Sequence, residues 1–176
     1  MAWPRAAKTA DWAGASGGYS KEDGMTMNLK LARVYFVLLA LFVVLRFALG
    51  NVAGMPYEKF TDKVSIVILT LVSALLYAAF TRAFLGYRIW EAAKLAMTLG
   101  LSAQVTIFLA TVLSYLLGIQ SAFNHPVALN QPGLASVPLG AALGIRAGGI
   151  VANTLATGIA GALGWALGGL LPAQKS

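Results

Sequence analysis

Four long apolar runs, separated by shorter and more polar segments, dominate the pattern along the chain. They cover approximately residues 31–49, 64–85, 89–117 and 143–171. None of them alternates apolar and polar residues with a period of two, as a strand of a membrane β-barrel would. Roughly 20 residues in a helix are enough to cross the hydrocarbon core of a bilayer. The pattern therefore predicts an all-α integral membrane protein, a bundle of four transmembrane helices.

The composition agrees with this prediction. Of the 176 residues, 59% are hydrophobic and 11% are charged, whereas about 25% of the residues of an ordinary soluble domain are charged. No linker rich in Pro, Gly or Ser divides the apolar part. We expect one transmembrane domain over residues 29–172, a polar N-terminal tail over residues 1–28, and an uncharged extracytoplasmic loop over residues 119–142.

The positive charges indicate an orientation. The net charge is +7, but the cations are scattered along the helix flanks and form no basic stripe of the kind that binds nucleic acid. If the N-terminus faces inward, nine Lys and Arg residues lie on the inner side. The other four, Arg46, Lys59, Lys63 and Arg146, lie on the outer side. By the positive-inside rule both termini are cytoplasmic, and we expect the bacterial inner membrane.

A row of small residues occupies every fourth position of the fourth run. It consists of Gly140, Gly144, Gly148, Ala152, Ala156, Ala160, Gly164 and Gly168. Residues four apart lie near one another on a helix, so this Gly/Ala-rich fourth helix carries a ribbon with almost no side chains. Each Gly costs about 1 kcal/mol relative to Ala in a helix interior, and in lipid the usual compensation is close approach of another helix. The row predicts a helix–helix interface. Because a four-residue row drifts around the helix, we expect only a local part of it to form one close crossing.

Two arginines lie near the predicted outer ends of the first and fourth runs. Only Val34 to Leu45 separates Arg33 from Arg46, and twelve uncharged residues are too few to cross the core. In one interpretation both arginines extend toward opposite interfaces. In the other, Arg46 faces inward and holds a lipid phosphate or an acidic partner. Arg146 is a second candidate for the same kind of contact.

Mild polarity marks the third run. Its candidate residues are Ser102, Gln104, Thr106 and Thr111. One interpretation is hydrogen bonding between helices or to the helix backbone, and the other is a polar route through the membrane. The primary amide of Gln104 is the best marker of such a route, because it needs more partners than a hydroxyl does.

The two segments outside the predicted helices differ in character. The tail contains Trp3, Trp12 and Tyr19, and aromatic residues in a polar stretch are suited to docking on a neighbouring protein or on the membrane surface. The loop has no charged residue and contains three prolines, Pro126, Pro132 and Pro138. We therefore expect an ordered and largely non-helical loop with reduced exposure.

Candidate chemistry is sparse. The single histidine, His125, has no further imidazole or carboxylate in its loop, and we expect no metal site, no cofactor and no catalytic residue. We expect a non-catalytic accessory subunit of a larger membrane complex, bound to membrane lipids and, through the fourth helix, to other membrane protein subunits. A hetero-oligomer is favoured over a homo-oligomer. The alternative is a small oligomeric transporter or channel with its route along the third run.

Overall fold

The computed structural model describes residue 30 and residues 32–53, 56–57 and 64–170. In these residues the chain is helical and contains no strand. The helices are α1 (Arg33–Phe47), which continues as a π-helical turn (Ala48–Val52), α2 (Ile66–Leu85), α3 (Ile89–Leu116), a 3-10 turn (Val127–Leu129) and α4 (Leu139–Gly168). All four long helices are long and apolar enough to cross a membrane. The prediction of an all-helical chain with four helices of membrane-spanning length and composition is thus confirmed for the described residues.

The contacts divide the chain between residues 31 and 32, and all four helices belong to the unit Ala32–Ser176. The predicted tail, with Trp3, Trp12 and Tyr19, lies outside the described residues. Its proposed docking role therefore stays a prediction.

Local chemistry explains where the helices end. Ser65 precedes α2 with an extended backbone, and its Oγ accepts a hydrogen bond from the Ile68 N–H at 3.3 Å, as an N-cap residue does. Gly86 ends α2 with φ 67°, and Gly118 follows α3 with φ 63°; this left-handed conformation is cheap for glycine. Pro138 precedes α4, where a missing N–H removes no hydrogen bond.

Two helix boundaries differ from those read in the sequence. The first span does not stop near Gly50 but continues as a π-helical turn to Val52. The fourth helix begins at Leu139, four residues before the predicted start. Apolar residues alone do not mark that start, because Leu139 to Ala142 contains small residues that serve equally well in a loop or in a helix.

Helix α1 packs on α2 and α3 through its first half. Tyr35 is fully buried, and its Oη lies 2.9 Å from Thr70 Oγ1 on α2 and donates to the Leu99 carbonyl oxygen on α3 at 3.1 Å. The same apolar core includes Leu39 and Ile107. The side chain of Tyr35 therefore links α1 to both α2 and α3 by hydrogen bonds.

Helix α4 packs closely against both α2 and α3 over its second half. A Cβ atom added at Gly164 would collide with the backbone of Leu75, and one at Gly168 would collide with the backbone of Ala79. On the α3 side, a Cβ at Gly161 would collide with Ala96. At these points the backbone of α4 lies directly against its neighbours, as expected for helices that associate through small residues.

The two ends of the bundle differ in their connections. At one end only Gly86, Tyr87 and Arg88 separate α2 from α3. There Arg82 Nη1 donates to the Trp165 carbonyl oxygen at 2.9 Å and its guanidinium stacks 3.8 Å from the centre of the indole ring. A cation is favourable at these carbonyls because the helix dipole is negative at the C-terminus of α4. The opposite end, called here the loop end, carries the connections 53–65 and 117–138.

Candidate functional site

A cavity of about 340 Å³ opens at the loop end, between the two long connections and all four helices. We call it the loop-end cavity. Its polar wall is formed by Arg46, Tyr57, Ser65 and Arg146. The remaining wall is apolar and consists of Val67, Ile107, Ala122, Phe123, Val127 and Ala128. The two arginines named from the sequence therefore meet in one cavity.

Arg146 is held in one orientation by the connection between α3 and α4. Its Nη2 donates to the Phe123 carbonyl oxygen at 2.6 Å, and its Nε donates to Thr111 Oγ1 at 3.2 Å. Thr111 Oγ1 in turn donates to the Ile107 carbonyl oxygen at 2.8 Å. Two fixed acceptors on one planar guanidinium leave it little freedom to rotate, so its position in the cavity is set by the fold.

Arg46 reaches the same cavity from the end of α1. Its guanidinium carbon lies 5.8 Å from the ring centre of Tyr57 and 5.6 Å from that of Phe123, so the cation is held against two aromatic rings. Its Nη2 lies 3.4 Å from Tyr57 Oη, whereas its Nε is buried and has no hydrogen-bond partner in the part of the chain that the structure describes. The Arg46 side chain thus lines the cavity and does not extend away from the bundle.

Side-chain hydrogen bonds order the first half of the α3–α4 connection. Ser114 Oγ and Ser121 Oγ lie 2.6 Å apart, and Asn124 Oδ1 accepts from the Ser121 N–H at 2.7 Å. Phe123 and Leu129 are fully buried, whereas residues 130–136 are exposed. Reduced exposure was expected for the whole loop; it is found in the first half, where apolar side chains turn into the bundle.

His125 contacts two residues of the cavity wall, Tyr57 and Val127. Its ring stacks on that of Tyr57 with centres 4.5 Å apart, and its Nδ1 accepts the Val127 N–H at 3.3 Å. Over the described ranges, no group of three or more His, Cys, Asp or Glu side chains is placed to hold a metal ion. The contacts that the structure gives His125 are stacking and turn formation.

The four polar residues of α3 named from the sequence make different contacts. Ser102 Oγ donates to the Leu99 carbonyl oxygen at 2.8 Å, and Thr106 Oγ1 donates to the Ser102 carbonyl oxygen at 2.8 Å, so both bond their own helix. Gln104 is buried beside Gly149 of α4, and Thr111 supports Arg146. None of the four polar residues belongs to the wall of the loop-end cavity. Ser102, Thr106 and Thr111 thus make hydrogen bonds that support the helix or the fold.

The small-residue row of α4 divides into two parts. Gly164 and Gly168 are buried against α2, and Ala160 is half-buried. The other five residues are exposed, and we call them the open small-residue face: Gly140, Gly144, Gly148, Ala152 and Ala156. Apart from the nearby backbone of α4 itself, no atom of the described residues lies within 4 Å of a Cβ added at any of its three glycines.

Several contact residues were not identified from the sequence. Gly161 packs on Ala96, and Gly100 of α3 lies directly against Thr157. A signal for them exists, because Thr157, Gly161, Gly164 and Gly168 follow a spacing of four, three and four. Eleven residues make almost exactly three helical turns, so this row keeps one face, unlike a row of constant spacing four.

Comparison of the chain with models of protein families, with curated proteins and with solved structures finds no match. Function therefore has to be inferred from the residues themselves.

Proposed function

We propose that this chain is a non-catalytic subunit of a larger membrane complex, and that it associates laterally through the open small-residue face of α4. The observation that carries the proposal is the unequal use of the glycines in one helix. Gly164 and Gly168 have close neighbours on α2, whereas no residue described outside α4 lies within 4 Å of a Cβ added at Gly140, Gly144 or Gly148.

The energetic reasoning concerns the three exposed glycines. Each costs about 1 kcal/mol of helix stability relative to Ala, and nothing within the described part of the chain compensates for it. Close packing against a helix of another chain would do so, since helices in lipid associate through small residues that let the backbones approach. Large exposed side chains, Val151, Leu155 and Ile159, lie beside this face and would form the rim of the contact.

The orientation of the complex follows from the distribution of cations. With nine Lys and Arg residues on one side and four on the other, we place both termini in the cytoplasm and the loop end outside. The bacterial inner membrane is the membrane that we propose.

The test compares two substitutions that each add four side-chain carbons to an exposed position of α4. Gly148→Leu fills the open small-residue face, and Val151→Phe is the matched control at a position that already carries a large side chain, 62% exposed. Each variant is expressed in its native membrane, extracted in mild detergent, and weighed by native mass spectrometry. We expect a complex that contains other chains for the wild type and for Val151→Phe, and loss of those chains for Gly148→Leu.

The same measurement separates this proposal from the alternative. A complex of identical chains would favour the small oligomeric transporter or channel. A wild-type chain that is extracted alone, or a Gly148→Leu variant that retains every partner, would contradict the proposed interface.

A further inference from the structure

We propose that the loop-end cavity is a binding site for a phosphate-type anion. The inference goes beyond lateral assembly, because it concerns a different face of the bundle and holds whether or not the chain has partners. Two observations carry it: two guanidinium groups share one cavity, and one of them has a buried donor without an acceptor among the described residues.

The charge in the cavity is the first step. Arg46 and Arg146 carry like charges, and among the described residues that line the cavity they are the charged ones. Two cations brought together at the edge of a low-dielectric bundle are stabilised by an anion between them, because Coulomb interactions there are much stronger than in water.

The donors are the second step. Arg146 uses Nε and Nη2 to bond the fold, while the bonds within the described part leave Nη1 unused. Arg46 presents a buried Nε, which has no partner within the described ranges, and a long contact of 3.4 Å from Nη2. Guanidinium forks match the oxygens of phosphate, to which they donate two parallel hydrogen bonds.

The N-terminus of α2 adds to the same site. Ser65 lines the cavity and caps this 20-residue helix. Its Oγ accepts the Ile68 N–H, so its own hydroxyl proton is available as a donor. The positive end of a helix dipole favours a bound anion. Arginine forks, a hydroxyl and a helix N-terminus thus converge on one space.

The source of the phosphate is indicated by depth and by the apolar wall. Arg146 is the eighth residue of α4, about 10 Å from its start, and a helix of 30 residues is about 45 Å long, longer than the ~30 Å hydrocarbon core. Arg146 therefore lies near the level of the lipid headgroups. Val67, Ile107 and Val127 give the cavity an apolar side, which suits the glycerol part of a phospholipid better than a fully hydrated ion.

The experiment uses the full chain, purified in detergent and freed of co-purified lipid. Three probes are added separately: dioleoyl phosphatidylglycerol, dioleoyl phosphatidylcholine and sodium phosphate. Binding is measured by native mass spectrometry and by the shift in thermal unfolding. We expect phosphatidylglycerol to bind and to raise the unfolding temperature, and phosphatidylcholine, whose charge is compensated, to bind less.

Arg46→Gln tests the charge and Ala128→Leu tests the space. Arg46→Gln removes the guanidinium whose hydrogen bond goes to Tyr57 and leaves the hydrogen bonds of Arg146 to Thr111 and Phe123 in place. We expect the affinity to fall about tenfold or more, since hydrogen bonds to charged groups are lost. Ala128→Leu keeps both arginines and fills the cavity, so it should also lose binding. Arg88→Gln is the control, because it removes one exposed positive charge at the opposite end of the bundle.

Each outcome decides the matter. Phosphatidylglycerol binding that depends on Arg46 and Ala128 but not on Arg88 supports a lipid as the source, and the same dependence with sodium phosphate alone supports a soluble anion. Equal binding by all variants, or no binding of any probe, overturns the site. The double variant Glu58→Gln, Asp62→Asn tests whether carboxylates of the connection 53–65 supply the counter-charge to the two arginines. If only that variant binds a probe, the connection supplies the counter-charge itself and the proposal is wrong.

Discussion

The sharpest test of the fold is the replacement of Gly164 by Ala. In an isolated helix this change is favourable by about 1 kcal/mol, because Gly loses more backbone entropy than Ala does. In the bundle the added Cβ would meet the backbone of Leu75, at 2.8 Å from its Cα and 2.9 Å from its carbonyl carbon. We therefore expect the variant to be less stable in spite of its higher helix propensity.

The magnitude follows from the overlap. Carbon atoms normally approach to about 3.5–4.0 Å, so α2 and α4 would have to separate by roughly 0.7 Å or more. A gap of about 0.5–1 Å forfeits a quarter to a half of each contact along the seam. Overpacking of this kind typically costs about 1–3 kcal/mol. Because Leu75 presents backbone and not the end of a flexible side chain, little of this strain is relieved locally.

Gly148→Ala is the matched control, since its added Cβ would meet no neighbouring helix or connection in the described part of the chain. Both variants gain the same helix propensity, so the difference between them isolates the packing term, about 1–3 kcal/mol in favour of Gly148→Ala. The free energy of unfolding is measured for the two purified chains in mixed micelles of one composition. Equal stabilities would show that α2 and α4 do not touch at Gly164, and the described packing would then be wrong.

Two further predictions concern α1 and the orientation. Tyr35→Phe removes the hydroxyl that joins α1 to α2 and α3, and should lower the free energy of unfolding by about 1 kcal/mol. Tyr77 is a partly buried residue of α2 whose hydroxyl makes no hydrogen bond with the described residues, so Tyr77→Phe should leave the stability unchanged. Equal losses in the two variants would refute the role of Tyr35. The chain has no cysteine, so Lys8→Cys and Lys175→Cys can be labelled singly. An impermeant thiol reagent added outside intact cells should modify neither, and labelling of either one would contradict cytoplasmic termini.

The sequence by itself determined the class of fold. The number and length of the helices follow from the apolar runs, because a segment in lipid has to satisfy its own backbone hydrogen bonds and becomes a helix. Gly86 and Gly118 directly follow the apolar runs 64–85 and 89–117, and they end α2 and α3 because the left-handed conformation is a local property of glycine. Such features depend on neighbours in the chain and can be predicted from them.

Only the tertiary structure shows which residues of a sequence pattern make contacts within the chain. The small-residue row turns by about 40° at each step of four, so from Gly140 to Gly164 it passes from one side of α4 to another. The sequence predicted a contact along the row, but only the position of α2 shows that Gly164 and Gly168 are packed against it and that Gly140, Gly144 and Gly148 are left open.

The loop-end cavity shows more clearly the difference between what the sequence predicts and what the tertiary structure decides. Arg46 and Arg146 are a hundred residues apart, and each was recognisable as a cation close to the end of an apolar run. Their shared cavity arises because the α3–α4 connection folds back and places the carbonyl oxygen of Phe123 on Arg146 and the ring of Phe123 beside Arg46. Local propensity sets helices and their ends, whereas a contact between distant residues depends on how all four helices pack, and no local period in the sequence encodes it.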